Sequence, residues 1–288
     1  MVLTIAGFDP TSGAGVTADI KTISANQAYG LACVTALTVQ NTLGTRGFRA
    51  IPAGVLEEQL EFLLEDVSPR AIKIGMLGGK DTVEVVARQL SRQLERNPAP
   101  WIVLDPIHTS TNGVRLSDDT GWAHMRKRLF PLVTVLTPNI PEAALLTGVP
   151  VESIAKPSDM EKACAALHAM LAGNGSPKFV VLKGGHLDRP LDLLYDGSKF
   201  TPFPGDRVRN GNTHGTGCTF SAALAANLAC GKQVADAVVM AKAYLTAALK
   251  QAYPIGQGGG GLNHLYRLQE SPTSRNVDPA PHTEFTTR

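Results

Sequence analysis

Six short apolar runs punctuate the sequence: "VLTIAG", "LACVTALTV", "AIKIGML", "WIVLD", "LVTVLT" and "KFVVLK". Each is rich in β-branched residues and close to continuous. That is the pattern of a strand covered on both faces. Helical patterns lie between them. "VLEEQLEFLLEDV" places Val55, Leu56, Leu60, Leu63, Leu64 and Val67 on one face. "DTVEVVARQLSRQL" and "SDMEKACAALHAML" each open with an apparent capping box, Asp81 with Glu84 and Ser158 with Glu161. "CTFSAALAANLAC" ends at Gly231, a suitable C′ residue, and "QVADAVVMAKAYLTAALKQAY" follows. Such alternation predicts an α/β chain: a three-layer αβα sandwich around a mostly parallel sheet. Ligands in such folds bind beyond the carboxyl ends of the strands.

The 288 residues are 43% hydrophobic, enough for a sizeable core. Residues 1–268 read as a single domain. From about 269 the sequence turns Pro-, Ser- and Thr-rich without an apolar face, which predicts a disordered tail over 269–288. A formal net charge of +2 argues against a nucleic-acid or membrane partner held by bulk charge. The opening "MVLTIAGFDP" reads as a strand, not a secretory signal, and no apolar stretch is long enough to span a bilayer. None of Cys33, Cys164, Cys218 and Cys230 forms a CxxC pair, which argues against zinc and fits a reducing cytoplasm. Cys33, Cys164 and Cys230 read as core residues, and His168 as structural or exposed.

Polar residues gather where strands end. Gly13, Ala14 and Gly15 follow the first run; they form either a tight turn or a backbone able to approach a ligand. Asp105 closes "WIVLD" and is a turn cap or a metal or phosphate contact, while His108 beyond it reads as exposed or part of a lid. Asn139 and Glu142 have capping-box spacing, with Pro141 suited to the first helical turn; the alternative is a place beside a phosphate-bound Mg²⁺. Lys183 is a solvated lysine or a phosphate contact.

The clearest signal is "GNTHGTGCT", just ahead of the Ala-rich helix. Free N–H groups and the positive end of a helix dipole make an anion site there, and glycines let those groups converge. Cys218 falls in the first turn, where the same field is expected to lower a thiol pKa. A thiolate so placed could take the proton of a substrate hydroxyl during phosphoryl transfer.

"TIAGFDPTSGAG", "TADIKT", "TALTVQNT", "KIGML", "LDPI", "TPNIPEAALL", "LKGGH" and "NTHGTGCTFSAAL" occur in this order over roughly residues 3–253. The set resembles the hydroxymethylpyrimidine/phosphomethylpyrimidine kinases of thiamine biosynthesis, in the ribokinase-like superfamily. The resemblance implies ATP and Mg²⁺ as cofactors, a cytoplasmic homodimer, and two phosphorylations: of the aminopyrimidine alcohol, then of its monophosphate. It implies Cys218 as catalytic base and the amides of Gly215, Thr216 and Gly217 as an anion hole. Gln40 would bond the aminopyrimidine ring, with Gly13, Ala14, Thr38 and Met76 around it. Asp105 and Glu142 would sit at the metal, and Asn139, Lys183 and Thr216 at the nucleotide.

This sequence departs from the family at Thr11-Ser12-Gly13, at Thr17, and in "IHTSTNG" after Asp105, a lid without a lysine. Pyridoxal kinases are the nearest alternative. Sugar kinases of the superfamily carry Asp where Cys218 stands, and a non-catalytic vitamin-binding protein would not need the thiol.

Overall fold

A computed structural model describes residues 1–96, 100–173, 175–185, 187, 190–205, 207–208 and 214–268. The expected tail, 269–288, lies outside the described residues, as do Gly211, Asn212 and Thr213. The chain runs through β1 (Val2–Phe8), α1 (Gly15–Ala25), β2 (Gly30–Asn41), β3 (Gly44–Ala50), α2 (Ala53–Asp66), β4 (Ala71–Ile74), α3 (Lys80–Arg96), β5 (Trp101–Leu104) and α4 (Asp119–Arg128). It continues through β6 (Val135–Leu136), α5 (Ile140–Thr147), α6 (Pro157–Met170), β7 (Phe179–Gly184), β8 (Leu191–Tyr195), β9 (Phe200–Pro204), α7 (Thr216–Ala229) and α8 (Val234–Lys250).

The strands form one sheet in the order β3-β2-β1-β4-β5-β6-β7-β8-β9. From β2 to β7 neighbours are parallel, and β3, β8 and β9 add antiparallel edges. The continuous apolar runs follow from this placement. In β5, Ile102 and Leu104 join the core under α2 to α6, while Val103 faces the other core with Ile23 of α1, Phe220 of α7 and Val238 of α8. The three layers predicted from the sequence are therefore present.

Some expectations fail for physical reasons. β3, β8 and β9 escape the reading because "GTRGFRA", "LDLLY" and "FTPFP" lack continuous apolar runs. β2 is buried only at Cys33, Thr35 and Ala36 in its middle; Leu37 and Val39 lie about half exposed where it leaves the central sheet to pair with β3. Asp81 does not cap α3, which starts at Lys80; Glu84 instead meets Arg128 and His124 on α4 at 2.9 and 2.7 Å. Ser158 lies inside α6, whose N-cap is Lys156 without a side-chain cap. Cys230 is exposed, not core, because it stands at the C-cap of α7; Cys33 and Cys164 are buried as expected. Gly231 does close α7, with φ +84° and the Gly231-to-Leu228 and Lys232-to-Asn227 amide bonds of a Schellman turn.

α7 is buried at every position from Cys218 to Ala229. Its alanines let it pack against α1, α8 and the sheet at once, which fixes its N-terminus over the carboxyl ends of the strands. Beneath that end lies a charge pair. Lys73 of β4 meets Asp19 of α1 at 2.8 Å, both side chains with no exposure, and Thr4 donates to the same Asp19 oxygen at 2.6 Å. Breaking such a pair leaves one buried charge uncompensated. Lys73→Met is expected to cost about 3–5 kcal/mol in urea unfolding, whereas Lys73→Met with Asp19→Leu recovers most of it. Equal losses in the single and double variants would show that the pair's charge is not what matters.

Candidate active site

A cavity of about 420 Å³ opens at the carboxyl ends of β1, β4, β5 and β7. Two helix N-termini converge on it. Gly15 begins α1 with φ +61°, and a Cβ there would strike the Gly7 carbonyl. Gly215 is the N-cap of α7 with φ +76°, and a Cβ there would strike the Gly13 carbonyl. Both positions need glycine on both counts, left-handed backbone and closest approach. Gly215, Thr216, Gly217 and Cys218 line the cavity together with Ala14, Thr38, Gln40 and Met76. Gly13 does not; it supports the crossing beneath Gly215.

Asp9 organises this corner. Its carboxylate accepts from the amides of Thr11 and Ala14 at 2.8 and 2.9 Å, and His214 Nε2 lies 2.8 Å away. Burial works against the ionised form, but the bonds from His214 and Thr11 outweigh it and hold the carboxyl below its usual range. Thr38 donates its hydroxyl to the Phe8 carbonyl at 2.9 Å. Gln40 is held by the Thr45 hydroxyl at 2.7 Å and lies 2.9 Å from His214 Nε2.

Cys218 stands in the first turn of α7, largely buried, with the Gly15 amide donating to its sulfur. The expected lowering of its pKa is overturned. Burial pushes the thiol up to about 11, against the pull of the Lys73 charge and the Gly15 amide.

On the opposite wall Lys183 is not solvated. Its ammonium meets Asp105 Oδ1 at 2.7 Å, and both face Gly217, where a Cβ would lie 3.2 Å from Lys183 Nζ and 3.4 Å from Asp105 Oδ2. Burial opposes the Lys183 ammonium, but Asp105 and Glu142 hold its pKa above the usual value. Asn139 and Glu142 form the expected capping box on α5: each accepts from the other's amide at 2.8 Å. They also line the cavity, so the structural and site readings hold together. Burial pushes Glu142 up to about 7, with Lys183 opposing and Asp105 adding to the rise.

A flap over 106–117 covers the cavity. His108 is half-buried there rather than exposed, its ring 4.8 Å from that of Trp122, and burial lowers its pKa. The residues missed from the sequence are Asp9, His214, Thr45 and Lys73. A lone charge inside the apolar run "AIKIGML" was the one available signal, for Lys73; Asp9 and His214 are polar residues in loops, and Thr45 lies in β3, whose sequence has no apolar run.

The chain matches the model of the phosphomethylpyrimidine kinase family over residues 9–263. The chain belongs to that family. It is a kinase of the ribokinase-like fold. It is 39% identical over 274 residues to the hydroxymethylpyrimidine/phosphomethylpyrimidine kinase of Mycobacterium leprae, covering 92% of this chain and 94% of that protein. It is also 39% identical over 271 residues to the thiamine biosynthesis bifunctional protein ThiED of Geobacter sulfurreducens, covering 93% of this chain but spanning only about half (53%) of that relative. Among solved structures, Clostridium difficile phosphomethylpyrimidine kinase superposes with a TM-score of 0.73 at 34% identity, covering 86% of this chain and 99% of that one. The Staphylococcus aureus pyridoxal kinase in complex with pyridoxal gives 0.79 at 34%, covering 91% and 92%.

The raised Glu142 carboxyl has a stability consequence. Its folded pKa exceeds the unfolded value, so the folded state loses stability as pH rises from about 4.5 to about 7. Glu142→Gln is expected to match the wild-type unfolding free energy near pH 4.5 and exceed it at pH 8 by at most about 3 kcal/mol, read by urea unfolding. A gap that does not widen with pH contradicts the assignment.

Proposed function

We propose that this kinase transfers the terminal phosphoryl group of ATP to the hydroxyl of 4-amino-5-hydroxymethyl-2-methylpyrimidine, then a second one to the resulting monophosphate, supplying the diphosphate for thiamine biosynthesis. The observation that carries the reading is that one cavity holds Gln40 and Met76 for a ring and, a few side chains away, the amides of Gly215 to Gly217 with Cys218 behind them.

The ring would lie against Met76 and Thr38, with the Gln40 carboxamide meeting its ring nitrogen and amino group. That orientation sends the hydroxymethyl oxygen toward Cys218. As this oxygen bonds to phosphorus and the bond to ADP breaks, the hydroxyl proton passes to the sulfur. The amides at the start of α7 face the oxygens of the transferring group, where charge develops. Lys183, Asn139 and Thr216 would contact the nucleotide.

Asp105 and Glu142 suit a hard cation that takes carboxylate and phosphate oxygens. Burial raises the Glu142 pKa and Asp105 adds to the rise, a cost that a cation beside the two carboxylates would offset, so the donors fit Mg²⁺. The ion, when bound with ATP, would neutralise phosphate charge. Cytoplasmic location and a homodimer belong to the same proposal. They are supported by the free cysteines among the described residues and by the apolar Leu37 and Val39 exposed on the β2–β3 hairpin.

Pyridoxal kinases superpose as well as the family's own members do, so a vitamin B6 ring is the second reading. Gln40 favours a ring that offers an acceptor beside a donor. Competition between the two alcohols separates them.

The two steps differ in their need for a base. The alcohol carries a proton that must leave; the monophosphate oxygen is already ionised near pH 8. Cys218→Ala is therefore expected to slow the first phosphorylation by about two orders of magnitude or more and the second by much less, as product analysis with ATP and Mg²⁺ would show. Near-normal first-step turnover removes Cys218 from the mechanism. For the wild type, kcat/KM of the first step should climb with pH from 7 to 9 as the thiolate fraction grows.

A further inference from the structure

The tip of the flap is fastened to the β2–β3 hairpin. Asn112, at its tip, lays its carboxamide along the backbone of Thr45. Its Oδ1 accepts from the Thr45 amide at 3.2 Å and its Nδ2 donates to the Thr45 carbonyl at 3.0 Å. Ser110 steadies it by donating to Asn112 Oδ1 at 2.8 Å. Gly44 makes room, since a Cβ there would press on the Asn112 amide. The tip of the flap is thus held by neutral hydrogen bonds.

Thr45 is buried and lies opposite Gln40 in the β2–β3 register. Its hydroxyl donates to Gln40 Oε1 at 2.7 Å, which fixes which end of the carboxamide turns to the cavity. Gln40 Nε2 then lies 2.9 Å from His214 Nε2, which also lies 2.8 Å from Asp9. That ring nitrogen can serve one of the two at a time. Donating to Asp9, it leaves the Gln40 NH₂ group for a ring nitrogen in the cavity. His214 directly precedes Gly215, so the same network reaches the anion loop.

We infer that Thr45 is a positioning residue that joins flap closure to ring recognition. Its backbone holds the flap through Asn112 and its hydroxyl holds Gln40, so a ring seated on Gln40 and a closed flap stabilise each other. The inference rests on the ring-binding role proposed for Gln40. Since the two links lie in series, loss of either one undoes the coupling, and loss of the second then costs little more.

The test is a double-mutant cycle on the full chain with Thr45→Val, Asn112→Ala and both together, assayed with hydroxymethylpyrimidine and ATP-Mg²⁺. Each single variant is expected to raise KM for the pyrimidine about tenfold, with KM for ATP and the melting temperature nearly unchanged. The double variant should be no worse than the poorer single, and Thr45→Ser should restore the wild-type value. Trp122, packed on His108 of the flap, gives an independent readout in a Trp101→Phe background. Pyrimidine binding should change its fluorescence in the parent and in Thr45→Ser, and the change should be lost in Thr45→Val and Asn112→Ala. Multiplicative effects on KM, equal rises for both substrates, or an undiminished fluorescence change in Thr45→Val each overturn the inference. If the parent neither binds nor phosphorylates the pyrimidine, the functional reading fails first, and that result is distinct from all of these.

Discussion

The site depends on two glycine turns passing at backbone contact. Gly215 can cross above Gly13 only because it has no side chain, and Gly15 can fold back on Gly7 for the same reason. This brings the N-termini of α1 and α7 to one point. Everything chemical is placed around that point: Cys218 one turn into α7, Asp9 bracing the first loop, Lys183 and Asp105 across from Gly217. Burial of α7 on all sides holds the arrangement rigid, because a helix packed against α1, α8 and the sheet cannot tilt without opening the core they share.

Burial, not the helix termini, sets the electrostatics of the site. A helix N-terminus contributes about 0.3–1 kcal/mol, seldom more than about 2, toward a nearby negative charge. Burying an ionisable group can shift its pKa by several units, each worth about 1.4 kcal/mol. The larger effect wins at both ends of the cavity. Cys218 is pushed up to about 11 and Glu142 up to about 7. Lys73 below and Lys183 beside them oppose those shifts without cancelling them. Both shifts run in the direction that a neighbouring cation would reverse.

Much of this was legible in the sequence. Apolar runs without alternation gave the parallel sheet, since β1, β4, β5 and β7 are each covered on two faces. The glycines and the thiol of "HGTGC" gave the anion loop, and the order of the strand-end motifs gave the family. What was missed depends on partners far along the chain. Nothing local tells that Glu84 turns to Arg128 rather than to its own helix end, or that Asn112 reaches Thr45. The burial of Cys218, which reverses the local effect of the helix terminus, belongs to the tertiary structure alone. The edge strands β3 and β9 were invisible because half-exposed strands need no unbroken apolar run, and β8 because Asp192 interrupts its short apolar stretch.

The central claim is that the amides of residues 215–217 hold the group in flight while the neighbouring sulfur faces the acceptor oxygen. A crystal structure with ADP, Mg²⁺, aluminium fluoride and the pyrimidine alcohol tests it most directly, because the fluoride takes the place of the transferring phosphoryl. The account predicts fluoride atoms within hydrogen-bond distance of at least two of those amides, and Cys218 Sγ in contact with the alcohol oxygen. Fluoride bound elsewhere in the cavity, with the sulfur turned into the core between α7 and β4, would contradict it.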